Sequence, residues 1–351
     1  MTLTELSYYS RRALPIGIIF LLILLILFYL FKLFFIYLNL NTHRQVYTNP
    51  VFGKISSPQL KQPLKTGQLS YILDTVEGTP ISASEAAKVY FLPSPTTKFG
   101  YREKIYLIAK NLGFDTTSAK YTLIGKEASF SDQKQQLTVD ITNFNFSYQY
   151  QFTGEEEFFL NNYLPASSAI ENRSIDFLKN LDRYPTELAQ GKTNLIYLKF
   201  DQQTKSLAVV ENPNQANMIE VDFYRPDIDS LPTVSPSYFN SQNYLVIIFF
   251  GEEYKVLKAQ ISFFEKSEGE YGVYPLKSGE LSWQDLKAGK GIIISPAEAK
   301  GNVVIKRMFL GYFDPSIYQE YLQPVYVFLG DNNFVGYVPA VADEYLVSNG
   351  K

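Results

Sequence analysis

The sequence predicts an α+β protein in which an N-terminal transmembrane helix precedes repeated units of a helix followed by antiparallel strands. Three observations lead there. Residues 13–31 carry no charge, apolar residues recur at helical spacing near residues 98, 168 and 280, and each of those stretches is followed by runs of period-two alternation. Helices set apart from runs of adjacent strands indicate antiparallel sheets rather than a doubly wound parallel sheet. With 46% hydrophobic residues and a net charge of −3, the chain is too apolar and too weakly charged for a disordered one. Its 351 residues allow two or three folded units. Tyr and Phe, 27 of each, enrich it in strand formers.

The first element is the membrane segment. Ala13–Phe31 spans 19 residues, 15 of them Leu, Ile or Phe. As a helix this is about 28 Å long, matching the ~30 Å hydrocarbon core. Each such residue favours insertion by roughly 0.3–0.6 kcal/mol, which outweighs Pro15 near the start and allows Lys32 to end the span or snorkel. Apolar residues continue to Leu38, so the anchor is placed at 13–38, in contact with the lipid bilayer. The run is longer than a signal-peptide core, and Asn39-Leu40-Asn41-Thr42 offers no small-residue cleavage site. Arg11 and Arg12 on one side nearly balance Lys32 and Arg44 on the other. A short tail (1–12) before a long region without another span fits a signal anchor, with the N-terminus cytosolic and the bulk extracytoplasmic. A bacterial surface protein without disulfides accommodates the lack of cysteine.

Residues 39–67, punctuated by Asn49-Pro50, Ser56-Ser57-Pro58 and Gln62-Pro63, suggest a proline-spaced stalk. A first α+β domain is expected over 68–155. Tyr71–Val76 and Ala87–Leu92 read as strands. A helix is expected over 98–112, with Ile105, Ile108, Ala109 and Leu112 on one face and Gly113 as its left-handed cap. Leu137, Val139 and Ile141 then alternate in one parity, and Phe144, Phe146, Tyr148, Tyr150 and Phe152 in the other. A strand cannot change faces without an extra residue, so a bulge or break is expected near Asn143. The aromatic row is better explained as the buried face of a sheet than as a ligand platform.

A boundary near 155–165 and a second α+β domain over 165–341 follow. A helix over 168–182 is signalled by the capping-box spacing Ser168-x-x-Glu171 and the face Ile170, Phe177, Leu178, Leu181. Strands are expected at 194–200, 206–211, 218–224, 244–250 and 254–264, then a short helix at 279–288 ended by Gly289. Val303–Phe313 and a hairpin of 324–329 with 334–341 around Gly330-Asp331-Asn332-Asn333 close the fold before a tail at 342–351. The repetition is architectural, without a strict sequence period.

Composition removes several chemistries. No cysteine means no disulfide, thiolate metal site or thiol nucleophile, and His43 is the lone histidine. No basic run points to nucleic acid. The sequence lacks a nucleophile elbow, a P-loop, an H-E-x-x-H helix and an EF-hand loop. The acidic runs Gly154–Glu157 and Gly251–Glu253 could supply paired carboxylates for glycoside hydrolysis, yet such clusters beside glycine are usually solvated turns. Asp227 and Asp229 offer oxygens of the kind Ca²⁺ takes, without the rest of a ligand set. Lys277-Ser278 reads as a helix start, Trp283 as a sheet-packing residue, and Asn145-Phe-Ser147 and Asn172-Arg-Ser174 as sequons without meaning in a bacterium. No residue is assigned as catalytic, cofactor-binding or metal-ligating, and no cofactor is expected.

Gly279–Gly289 resembles the short helix of PepSY-like units. The following Met308–Phe313, Tyr321–Phe328 and Phe334–Val341 are similar in order to the C-terminal part of the YycI/YycH regulators, membrane-anchored extracytoplasmic proteins of bacteria. The chain has Ala340-Val-Ala-Asp343 where such units end in Ala-x-x-Gly. The resemblance covers about 65 residues and implies a non-enzymatic sheet domain that binds another envelope or membrane protein. The resulting expectation is an envelope regulator or scaffold acting by protein binding, with a carboxylate-dependent glycan hydrolase or a glycan-binding surface protein as the alternative.

Overall fold

The computed structural model describes residues 3–41, 47–61, 69–159, 162–296 and 301–347. In chain order these form α1 (Leu3–Asn41), β1 (Leu69–Leu73), β2 (Ala86–Phe91), α2 (Tyr101–Asn111), β3 (Thr122–Ile124), β4 (Glu127–Ser131), β5 (Gln135–Asp140), β6 (Phe146–Tyr150), α3 (Ser167–Asn180), α4 (Thr186–Ala189), β7 (Thr193–Asp201), β8 (Ser206–Val209), β9 (Met218–Phe223), β10 (Thr233–Val234), β11 (Tyr244–Phe250), β12 (Glu253–Ile261), β13 (Tyr271–Pro275), α5 (Gly279–Lys287), β14 (Ile292–Ser295), β15 (Gly301–Phe313), β16 (Tyr321–Leu322), β17 (Pro324–Gly330) and β18 (Val335–Pro339). The α+β class holds, and most strand pairs are antiparallel.

Within α1, Ile18–Ile36 is long and apolar enough to cross a membrane. Every side chain from Ile18 to Ile36 is exposed, an arrangement costly in water and favourable in hydrocarbon. Contacts separate this helix from a body that begins at Thr48.

The body starts earlier than the expected stalk allows. Asn49 exchanges backbone bonds of 2.8 and 3.0 Å with Val273, and Ile55 donates to the Tyr345 carbonyl at 2.8 Å. Ile55 is fully buried, and Val347 donates back to its carbonyl at 2.8 Å. Proline spacing prevents helix but leaves the intervening backbone groups free to pair, so 48–61 is docked chain. The same bonds fasten residues 342–347, expected as a tail. Residues 42–46, including His43, and 62–68 lie outside the described residues.

Three sheets make up the body. A nine-stranded sheet runs β3-β4-β5-β6-β12-β11-β9-β7-β8, a six-stranded sheet runs β1-β15-β17-β18-β14 with β10 also on β15, and a three-stranded sheet runs β13-β2-β16. β1 and β10 both pair with β15 in parallel. The expected boundary at 155–165 does not separate sheets, because β6 and β12 from either side of it pair within the nine-stranded one. The division follows a different line. β2 and β13 pair antiparallel, with Tyr90 opposite Tyr271, so the chain leaves after β2 and returns beside its exit. Everything from α2 to β12 is one excursion between two adjacent strands.

Helices α2 and α3 cover one face of the nine-stranded sheet. Ile105, Ile108 and Ala109 of α2 and Ile170, Phe177 and Leu178 of α3 share a buried cluster with Leu137, Val139, Phe146, Tyr148, Ile247 and Phe249. Both helices end alike. Gly113 (φ 95°) donates to the Lys110 carbonyl and Phe114 to that of Ala109, while Asp182 (φ 52°) and Arg183 repeat the pattern on Lys179 and Leu178. An ion pair from Lys104 to Asp182 and a 2.9 Å bond from Asn111 Nδ2 to the Asn180 carbonyl tie the two helices. The expected capping box of α3 is not used: its N-cap is Ala166, without a side-chain bond. Ser278 does cap α5, accepting from the Leu281 amide at 3.2 Å.

The excursion meets the rest of the body where β10 pairs with β15 and at Arg225, whose side chain is fully buried. Its Nη1 reaches Glu187 at 2.7 Å, Nε reaches Asp314 at 2.8 Å and Nη2 donates to the Phe264 carbonyl at 2.5 Å. The guanidinium also lies 4.1 Å from the Phe263 ring centroid. Gln242 Nε2 holds the other Asp314 oxygen at 2.8 Å. Removing one member of such a buried set leaves an uncompensated charge, which costs about 3–5 kcal/mol. Arg225→Ala is therefore expected to destabilise the body by that amount in denaturant unfolding of the full chain in micelles. Adding Asp314→Asn should recover part of the loss.

Candidate functional site

The face of the nine-stranded sheet away from α2 and α3 carries the candidate site. Strand alternation sends Leu137, Val139, Phe146 and Tyr148 to the helices, so Thr138 and Ser147 point the other way. Register then lines up polar residues across strands. Thr122 is opposite Ser129, Ser129 opposite Thr138, and Thr138 opposite Ser147. Ser147 is opposite Gln260, Gln260 opposite Tyr244, Tyr244 opposite Asp222, and Asp222 opposite Asn194. This polar row crosses eight strands, about 34 Å at the usual strand spacing.

Part of the row floors a cleft of about 580 Å³. Thr138, Ser147 and Gln260 lie along its base, Asp140, Asn143 and Asn145 at one side, and Phe264, Ser316 and Tyr318 at another. Lys61 and Glu127 complete the charged lining with Asp140. The Asp140 carboxylate is engaged locally, accepting from the Thr142 amide at 2.8 Å and hydroxyl at 2.5 Å. Asn145 Oδ1 accepts from Arg183 Nη2 at 2.9 Å and from the Phe263 amide at 3.1 Å. Two converging donors orient that amide, and its Nδ2 has no hydrogen-bond partner among the described residues. Phe264 and Tyr318 meet edge to face at 5.9 Å, and the Tyr318 hydroxyl is taken by the Leu92 carbonyl at 3.1 Å. Hydroxyls and amides dominate the lining, and each can both donate and accept. The arrangement is suited to recognition by hydrogen bonding.

Farther along the row, Asp222 is fully buried. Its Oδ2 accepts from the Ser241 amide at 3.0 Å and the Tyr224 hydroxyl at 3.1 Å, while Oδ1 has no partner among the described residues. Burial first, and then Glu220 two residues away on the same face, push its carboxyl up to about 7. Asn240 Nδ2 bonds Glu220 at 3.2 Å.

Most residues singled out from sequence have local roles. Asp229 accepts from the hydroxyls of Tyr90 (2.7 Å) and Tyr312 (3.2 Å) and pairs with Lys88 at 3.3 Å; Asp227 is exposed. Burial, and the neighbouring Asp229 carboxylate, raise both tyrosines well above the ordinary phenol range. Among the described residues, no three His, Asp or Glu side chains converge as a metal site would require. Glu155 pairs with Lys134 at 2.5 Å, and Gly251–Glu253 is the exposed β11–β12 turn and strand start. Lys277 lies between Asp285 (2.8 Å) and Asp343 (2.7 Å). Trp283 packs on Phe328 and Tyr71. Of the aromatic row, Phe146 and Tyr148 are core, as alternation implies. Asn143, Asn145 and Phe146 are the ones among those residues that line the cleft. Thr138, Ser147 and Gln260 were legible as outward positions, but their alignment needs the cross-strand register.

No protein-family model matches the chain, and no curated protein matches it. Among solved structures it is similar to an uncharacterized protein from Eubacterium rectale, with 14% identity and a TM-score of 0.34, over 78% of this chain and 87% of that one. A likeness of that size carries no statement about activity.

The Asp222 environment sets a pH dependence. Its folded-state value lies above the usual carboxylate value of about 4, so folding favours the neutral form. The associated stability is complete below about pH 4 and is lost as pH rises through about 7. The slope from this one group approaches about 1.4 kcal/mol per pH unit. Asp222→Asn should flatten the fall across that window. Denaturant titrations between pH 4 and 8 check it; an unchanged slope would assign the proton elsewhere.

Proposed function

We propose that this protein is a single-pass, membrane-anchored envelope protein whose extracytoplasmic body acts by binding rather than by chemistry, as a regulator or scaffold. The helix Ile18–Ile36 supports the anchor. The observation that carries the binding reading is the cleft itself, a recess of about 580 Å³ whose base is a register-aligned row of hydroxyl and amide side chains. Among the described residues its lining contains no histidine to serve as a base, and the chain has no cysteine to serve as a thiol nucleophile. The order of α5, β15, β17 and β18 keeps the resemblance to PepSY-like and YycI/YycH-type units in play, and with it a membrane or envelope protein as the neighbour in the bilayer plane.

A hydrolase reading needs two carboxyl groups flanking a substrate. The Glu220–Asp222 pair is the best such candidate, but Asp222 is fully buried and its bonds are spent on Tyr224 and Ser241.

Two experiments test the proposal. A photo-crosslinking residue at Ser147 or Gln260 should trap an envelope component in living cells, whereas one at exposed Lys110 on α2 should not. Failure at both cleft positions together with measurable glycan cleavage would replace binding with catalysis. For topology, the absence of native cysteine permits single-cysteine labelling. Asn194→Cys should react with an impermeant maleimide on intact cells and Thr4→Cys only after lysis; the reverse pattern would put the body in the cytosol.

A further inference from the structure

We propose that the cleft holds a neutral, polyhydroxylated glycan laid across the strands over Thr138, Ser147 and Gln260, which rests on the reading of this cleft as the binding surface. The base supplies a hydroxyl, a hydroxyl and an amide on three successive strands, β5, β6 and β12. The Ser147 hydroxyl donates and accepts, as sugar hydroxyls do. The Thr138 hydroxyl shares a 3.3 Å bond with Ser129, and Gln260 Nε2 spends one hydrogen on the Gln242 carbonyl at 3.2 Å, which leaves its second N–H and its Oε1 for a ligand. The strand-to-strand step of about 4.8 Å is close to the length of one hexopyranose ring. Successive rings of an extended oligosaccharide therefore meet successive strands.

Charge selects against an anionic ligand. Lys61 is countered by Glu127 and Asp140 in the same lining, and among the described residues no arginine lines the cleft to grip a carboxylate or phosphate. Asn145 shapes that side of the cleft, its amide fixed by two bonds to its oxygen and its Nδ2 buried. Phe264 and Tyr318 supply the apolar component. With the Tyr318 hydroxyl committed to the Leu92 carbonyl, what that side chain offers is its ring, a surface for the C–H face of a sugar. A protein anchor would instead need a desolvated pocket for an aromatic or aliphatic side chain, and the base here is polar.

The test uses the full chain in nanodiscs, titrated calorimetrically with two neutral probes: a hexamer of β-linked N-acetylglucosamine and a hexamer of β-linked glucose. At least one should bind, more tightly than its dimer. Ser147→Ala and Gln260→Ala should each weaken it by about tenfold, the loss of one or two hydrogen bonds. Ser147→Arg should abolish binding, and Lys110→Ala on the opposite face should leave it unchanged. Circular dichroism of each variant confirms that the body is folded. Binding that survives Ser147→Arg overturns the proposal. No binding of either hexamer, with a polypeptide crosslinked at Ser147 in cells, overturns the glycan and keeps the cleft as a binding surface. No binding and no crosslink overturns both.

Discussion

One buried guanidinium, beside the short pairing of β10 with β15, ties the two parts of the body together. Arg225 carries its charge out of water, and only the full set of Glu187, Asp314, the Phe264 carbonyl and the Phe263 ring offsets that cost. These partners come from α4, from the end of β12 and from the end of β15. They can converge only when the nine-stranded sheet is seated on the six-stranded one. The same contacts set one wall of the cleft. Phe264, held through its carbonyl, and Tyr318, just beyond the clamped Asp314, meet edge to face there beside Ser316. The interaction that docks the excursion thereby also places that side of its candidate binding surface.

The excursion gives the protein a large sheet without a second independent domain. Because β2 and β13 lie side by side, some 180 intervening residues begin and end at one place. Their sheet buries one face under two helices; the other face carries a smaller buried cluster of Phe158, Leu198, Phe200, Met218, Val246, Ile248 and Leu257 at one part and the polar row at another. Where an antiparallel sheet is covered on one side only, such alternation is the natural sequence. On the covered side the alternation yields core; on the open side it yields an ordered array of hydroxyls and amides at strand spacing.

Local signals were legible wherever a short stretch could satisfy itself. The helices over 101–111 and 279–287 end at Gly113 and Gly289, as left-handed caps require, and 244–250 is an aliphatic strand in full. The parity change near Asn143 is a hairpin turn, with Asp140 accepting from Thr142 and Phe144 at φ 61°. β13 and β14 went unrecognised because they are short and owe their pairing to β2 and β18, far away in sequence. Ser168 and Glu171 had capping spacing, but the backbone enters α3 earlier, at Ala166. The proline-spaced segment after the apolar helix gave no sign that it docks, since its partners Val273 and Tyr345 lie near the other end of the chain.

By itself, the sequence determined the long apolar helix, the α+β class, the buried parity of strands such as 135–140 and 146–150 and the lack of cysteine and of a histidine pair. These depend on composition and on periods of two or 3.6 residues, which operate over a few neighbours. Tertiary structure alone decided the sheet order, the excursion between β2 and β13, the clamp on Arg225 and the cross-strand row that floors the cleft. Each of those is a matter of register between residues distant in the chain. A shift of one residue in β6 or β12 would turn Ser147 or Gln260 into the core, and no local pattern specifies which neighbour a strand will meet.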